Sequence, residues 1–271
     1  KMNITKEFKN LLEELKSKFL NEEPEIIKEK IIHSKKEFVL EADIFSQNAL
    51  IKIANRYHPN IKIISEELDN FENIQNDNEK ILLLDPLDGT HNFLFGIPIW
   101  GFSYTIISPN ASEYESYIGL PMFDILLEYK NEKIVLNRFD QKKPSELIDV
   151  SLKKGLLSQM MIAFDNQFNK DPQIIKKNFN LLVDSAFTTR ISGSAIFDIA
   201  MIILGKLDAR IWHCTELYDV APAFAFFNKK GSLLNLNTGK KANLGDKSII
   251  ASVNKDIATQ LKEIGFINTK N

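Results

Sequence analysis

A chain of 271 residues with 44% hydrophobic and 26% charged side chains is long enough to bury a substantial core, as one compact unit or as two packed halves. Its 34 Lys and Arg nearly cancel 36 Asp and Glu, and a formal charge of -2 gives no sign of a nucleic-acid surface. The single Cys214 cannot close an intramolecular disulfide, and no Cys/His cluster has zinc-ligand spacing, so a reducing, cytoplasmic setting is expected.

Residues 1–20 alternate charged and apolar side chains, a pattern of neither signal peptide nor anchor. Apolar positions at Phe8, Leu11, Leu12, Leu15 and Phe19, then at Ile26, Ile27 and Ile31, predict two helices across residues 4–34, broken at Pro24. A further helix is expected over 44–57, with Asp43 as its N-cap and His58-Pro59-Asn60 as its stop. Two strands follow at 61–64 and 81–84, each running directly into acids: Glu66 and Glu67 after the first, Asp85 and Asp88 after the second. The polar stretch 69–79 between them reads as a loop. Strands at 101–107, 117–120, 125–129 and 133–136 form a consecutive antiparallel series.

Beyond residue 150 the rhythm becomes strand and helix in alternation: a strand at 160–164, helices at 172–183 and 194–204, a strand at 207–212, and a helix at 218–227. The apolar run 196–204 contains Asp198 and is too short to span a bilayer, so no membrane association is expected. The organisation expected is an N-terminal α+β half, 1–145, and a C-terminal α/β half, 146–271, packed as one unit.

The chemistry concentrates in Asp85-Pro86-Leu87-Asp88-Gly89-Thr90. A sharp turn through Pro86-Leu87 would aim both carboxylates and the Leu87 carbonyl at one point, an all-oxygen donor set suited to magnesium. Glu66 would add a ligand if its strand lies alongside. Gly89 permits close backbone approach, and free amides at a helix start can hold a phosphate. Asp, Pro and Gly are also ordinary turn formers, Glu66-Glu67 is also an ordinary strand end, and Asp43 alone is also an ordinary helix cap.

Five blocks then fall in order: Glu41-Ala42-Asp43, Ser65-Glu66-Glu67, the run DPLDGTHNF over 85–93, Arg190-Ile191-Ser192-Gly193-Ser194-Ala195 with Leu204-Gly205-Lys206-Leu207-Asp208-Ala209, and Tyr218-Asp219-Val220-Ala221. Together they resemble the lithium-sensitive, magnesium-dependent inositol monophosphatase family, which includes sugar-phosphate phosphatases and 3'(2'),5'-bisphosphate nucleotidases. The resemblance implies a layered αβαβα sandwich of the sugar-phosphatase type, a homodimer, and hydrolysis of a small phosphorylated metabolite by an activated water. It implies about two or three Mg2+ ions and inhibition by Li+. Glu66, Asp85 and the Leu87 carbonyl would hold one ion, and Asp85, Asp88 and Asp219 another. Thr90, paired with Asp43, would orient and help deprotonate the attacking water, with Glu66 also counted among the catalytic groups. Amides of Gly89 and Thr90 would hold the phosphate, and Gly193, Ser194 and Ala195 would face the rest of the substrate.

The substrate half departs from the family. Members that prefer inositol phosphate carry an acid seven positions before the last metal-binding Asp, where this chain has Trp212; Glu216, three before Asp219, is the nearest substitute. A base stacked on Trp212 is one reading of that change. Pro222 follows the Asp219 block and is expected in the first turn of its helix, where proline is tolerated. Lys229 and Lys230 form either a solvated helix end or a contact for a second anionic group. His91 is expected at the surface, Trp100 and Phe102 in the core, and Cys214 as a small buried hydrophobe. The competing class is a regulatory binding protein of the same fold acting with transcription complexes.

Overall fold

The computed structural model describes residues 3–20, 24–32, 35–68, 79–139, 144–165, 167–227, 229 and 231–266. The chain forms two compact units, Lys1–Leu147 and Ile148–Asn271. Most of the expected loop at 69–79, with Asn228 and Lys230, lies outside the described residues.

In the first unit, helix α1 (Ile4–Phe19) begins where the Asn3 side chain accepts from the Thr5 amide at 3.0 Å. Its apolar residues, at helical spacing, are all buried. The stretch after Pro24 is not the expected second helix: β1 (Ile26–Ile32) pairs antiparallel with β2 (Lys35–Leu40). Ile26, Ile27, Ile31 and Ile32 are β-branched and favour extended backbone, and over so short a run apolar spacing does not separate helix from strand. Helix α2 (Glu41–Tyr57) starts directly after β2, three residues earlier than its periodicity suggests.

A 7-stranded sheet follows in sequence order: β3 (Lys62–Ser65), β4 (Ile81–Asp88), β5 (Gly101–Ile107), β6 (Tyr114–Leu120), β7 (Ile125–Lys130), β8 (Lys133–Arg138) and β9 (Glu146–Ile148), with the short α3 (Thr90–Leu94) between β4 and β5. β3 and β4 are parallel, β4 pairs antiparallel with β5, and β5 through β8 form the expected antiparallel series. One face, through Leu82, Leu84, Phe102, Tyr104 and Ile106, packs on α1 and α2. Phe8 anchors it, its ring centre 4.6 Å from that of Tyr117 and 5.1 Å from that of Tyr104.

The second unit alternates strand and helix: β10 (Met161–Phe164), α4 (Pro172–Ser185), β11 (Thr188–Arg190), α5 (Ala195–Ile203), β12 (Ala209–Trp212), α6 (Leu217–Phe227), β13 (Ser232–Asn235), β14 (Ile249–Ser252) and α7 (Ile257–Glu263). Its strands lie in the order β11-β10-β12-β14-β13, parallel for the first three and antiparallel thereafter. Ala209 and Ile211 of β12 share a core with Ile175 and Leu182 of α4 and Ile257 and Leu261 of α7. Arg210 lies on the other face and pairs with Asp198 of α5, which packs on α6. The first unit thus packs helices on one face of its sheet, and the second carries helices on both faces of its own.

Pro222 corrects a local expectation. Because α6 begins at Leu217, the proline is its sixth residue, past the first turn, and it removes the hydrogen bond to the Tyr218 carbonyl. The helix survives because every residue from Val220 to Phe227 is buried, so packing outweighs a cost of about 3 kcal/mol.

Candidate metal centre

The acids at the end of β4 are presented by a bulged strand, where the sequence suggested a plain turn. Side chains three apart on a regular strand point to opposite faces. Here Asp85 pairs with Ser103 and Asp88 with Gly101, so three steps along β4 match two along β5. The extra residue is a β-bulge, and since Ser103 and Gly101 share a face, it brings Asp85 and Asp88 back to one face. Leu84 and Leu87 occupy the other face, in the core. Pro86, which has no amide hydrogen to give a ladder, is tolerated at such an irregularity.

Gly89 closes the motif at φ 90°, and a Cβ there would stand 2.7 Å from the Ile99 carbonyl oxygen. Thr90 opens α3, whose first amides have no acceptor within the helix. The Thr90 hydroxyl donates to the Leu87 carbonyl at 3.0 Å. A hydroxyl has one proton, so pairing Thr90 as donor to Asp43 requires its rotation away from Leu87.

Asp43 is not the N-cap expected from the sequence. It is the N3 residue of α2, fully buried, and its carboxylate accepts from the amide of the N-cap Leu40 at 2.6 Å. The carboxylate arm of a capping box thus orients it. Glu66 follows Ser65, which is paired in parallel register with Leu84, so Glu66 comes level with Asp85 at the strand ends. Ser65 fixes that end, its hydroxyl donating to Gln47 Oε1 of α2 at 2.7 Å.

The remaining candidates belong to the second unit. Asp219 lies in the first turn of α6, where its Oδ2 accepts from the Thr215 hydroxyl at 3.2 Å and the Glu216 amide at 3.4 Å. Glu216 itself faces Lys247 at 3.2 Å and Lys170 at 3.9 Å, so its carboxylate already has cationic neighbours. Gly193 adopts φ 78° before α5. Ser194 is the α5 N-cap, its hydroxyl accepting from the Phe197 amide at 3.3 Å while its own amide donates to Ser192 Oγ at 3.2 Å; Ala195 is the first helical residue.

Trp212 is buried, with the Arg210 guanidinium 5.2 Å from its ring centre, so base stacking is not open to it in this conformation. Burial pushes the Asp198 carboxyl up, against the opposing pull of Arg210 and of hydrogen bonds from Ser192 and Arg210. His91 is exposed and Trp100 and Phe102 are buried, as expected. Cys214 is only half-buried and adopts φ 52°, so it is not the simple core residue expected.

Sequence reasoning missed a buried network at the ends of β10 and β12. Asp165 accepts from the His213 amide and lies 3.1 Å from His213 Nδ1, while His213 Nε2 lies 3.1 Å from Asn178 Nδ2. A strand ending in an acid, Phe164-Asp165, was the available signal, the same one that marked Leu84-Asp85.

Among the described residues no three His, Cys, Asp or Glu side chains are gathered closely enough to hold a metal by themselves. The bulge sets a pair of carboxylates on one face of β4, not a carboxylate cage. That set still fits Mg2+, which takes hard oxygen ligands and commonly one or two carboxylates, with waters and substrate phosphate completing its shell. Carboxylates drawn closer without a cation would repel one another.

The chain matches the model described as the inositol monophosphatase family over residues 3–265. It is 25% identical over 232 residues to the Nus factor SuhB of Haemophilus influenzae, covering 84% of this chain and 82% of that protein. It is 26% identical over 234 residues to the inositol monophosphatase of Dictyostelium discoideum, with 84% and 82% covered. The solved structure of an IMPase from Thermotoga maritima aligns at a TM-score of 0.74 over 96% of this chain and 94% of that one; at 19% identity this is a likeness of fold. A family match that runs almost from end to end, on a chain whose bulged strand carries the Asp85 and Asp88 signature, places it: the chain belongs to the inositol monophosphatase family.

Proposed function

We propose that this chain hydrolyses the phosphomonoester of a small metabolite with Mg2+, and that the bulge at Asp85 and Asp88 is the observation that carries the reading. Both carboxylates and the Leu87 carbonyl would hold the ion, with Glu66 beside them at the end of β3. Asp219, in the first turn of α6, is the further ligand that the family resemblance implies. When bound, Mg2+ lowers the pKa of its water and offsets the charge that builds on the phosphoryl oxygens.

The chain's own groups do the rest. Amides of Gly89 and Thr90 at the start of α3 receive phosphate oxygens. Thr90, released from Leu87, passes its hydroxyl proton toward Asp43 and accepts one from the attacking water. Gly193 and Ala195 at the start of α5 are left to face the remainder of the substrate, since the polar groups of Ser194 serve the fold. The substrate is an inositol or sugar phosphate, or alternatively a 3'(2'),5'-bisphosphate nucleotide; the buried Trp212 and the lysine-flanked Glu216 both disfavour strong hydroxyl recognition of inositol.

Purified protein with Mg2+ is expected to release phosphate from at least one of inositol 1-phosphate, a sugar phosphate, histidinol phosphate and 3'-phosphoadenosine 5'-phosphate. Asp85→Asn is expected to abolish that release while leaving the metal-free protein folded, because it relieves carboxylate repulsion. Full activity in the variant, or no release from any of the four by wild type, would overturn the proposal. The relatives named Nus factor favour a second reading, a regulatory protein that keeps the fold. Stoichiometric capture of a transcription partner together with negligible turnover would select it.

A further inference from the structure

The connection from β12 to α6 is a strained segment held from several sides. Cys214 sits at φ 52°, a left-handed conformation that is unfavourable for a non-glycine residue with a side chain of this kind. Three successive amides are tied to three different anchors: His213 to the buried Asp165 carboxylate, Cys214 to Ser248 Oγ at 3.3 Å, and Thr215 to the Lys247 carbonyl at 2.8 Å. Lys170 holds the Cys214 carbonyl at 2.7 Å. The His213 ring is braced between Asp165 and Asn178, each 3.1 Å away. Such over-determination marks a backbone whose exact path matters.

What that path delivers is Thr215. Its side chain is buried, and its one hydroxyl proton has two acceptors in reach, Oδ2 of Asp219 at 3.2 Å and the Glu216 carbonyl at 3.4 Å; the nearer, Oδ2, also takes the Glu216 amide at 3.4 Å. The amide contact repeats the device at Asp43, a first-turn acid gripped by the amide three residues before it. The hydroxyl is additional, and it needs a β-hydroxy residue at 215. Without the left-handed turn at Cys214, the chain entering α6 would take a different course and Thr215 would not meet Asp219.

From this we infer that Thr215 is a positioning residue that fixes the carboxylate of Asp219 for a metal ion, with the Asp165, His213 and Asn178 network as its support. The inference rests on the proposed role of Asp219 as a ligand. Two donors on one oxygen pin the carboxylate rotamer before the ion arrives, so less freedom is lost on binding. A serine would preserve the hydroxyl; a valine would preserve the shape and remove it.

The test is isothermal titration of metal-free protein with Mg2+ alone, alongside the melting temperature of the metal-free form. Thr215→Val is expected to weaken one ion's affinity by about 10- to 100-fold with little change in melting temperature, and Thr215→Ser to restore it. In turnover assays the same variant should raise the Mg2+ concentration for half-maximal rate more than it lowers kcat. Asp219→Asn is the control for the underlying reading. If it leaves Mg2+ binding unchanged, Asp219 is no ligand, and both that reading and the role of Thr215 fall. If it loses an ion while Thr215→Val binds as wild type does, the positioning role alone is overturned. Loss of the folded metal-free protein in both Thr215→Val and Thr215→Ala would make Thr215 a structural residue and also overturn it.

Discussion

Gly89 is the position in the site with least room for change. It combines φ 90° with a would-be Cβ 2.7 Å from a backbone oxygen that cannot move aside cheaply, so two independent penalties meet in one residue. Gly89→Ala is expected to destabilise the protein by roughly 1–3 kcal/mol, measured by denaturant unfolding, and to displace the amides that open α3. This requirement was partly legible in the sequence, since Gly follows the second acid of the motif. The identity of its neighbour Ile99 was not. Asp43 shows the same limit from another side: an acid at a helix start was readable, but N-cap and N3 differ by three residues, and only the Leu40 amide settles which it is.

At the scale of elements, the bulge in β4 matters most. Two acids at i and i+3 on a strand are incompatible with one shared face unless a residue is inserted, and the insertion shows only in the pairing with β5. The helix expected after Pro24 failed for a similar reason, because pairing with β2 decides the state of a short apolar run that spacing leaves ambiguous. Docking of α1 onto the sheet adds an electrostatic element. Thr5 at the start of α1 donates to Glu128 of β7 at 3.2 Å, and Asn137 of β8 donates to the same carboxylate at 2.6 Å. Burial nevertheless raises the Glu128 pKa from its ordinary 4.5, outweighing those hydrogen bonds. A carboxyl with a raised folded-state pKa contributes its stability fully below the ordinary value, and that contribution is lost as pH rises through the raised one. Glu128→Gln, which keeps a neutral side chain of the same shape, should therefore melt higher than wild type at neutral pH. The advantage should vanish below about pH 4.5, where Glu128 is itself protonated. A difference in melting temperature that is independent of pH would refute this account.

For the whole molecule, a metal that binds only the folded state should be visible as stability. Mg2+ at 100 times its dissociation constant adds about 2.7 kcal/mol, so the melting temperature of wild type should rise with Mg2+ while that of Asp85→Asn stays nearly flat. Equal shifts in the two proteins would place the ion elsewhere. The sequence by itself determined the family, through which acids it carries and in what order, because these are properties of residue identity and spacing. It also determined the antiparallel series and the alternation that follows it, because long periodic runs carry their own signal. Tertiary structure decided the rest. It placed Asp85 and Asp88 on one face through the register of β5, and it buried Trp212 beneath Arg210. It also threaded Cys214 through a left-handed turn so that Thr215 meets Asp219. Those outcomes depend on pairing, packing and long-range hydrogen bonds, whose partners lie far away in the chain and leave no mark in local spacing.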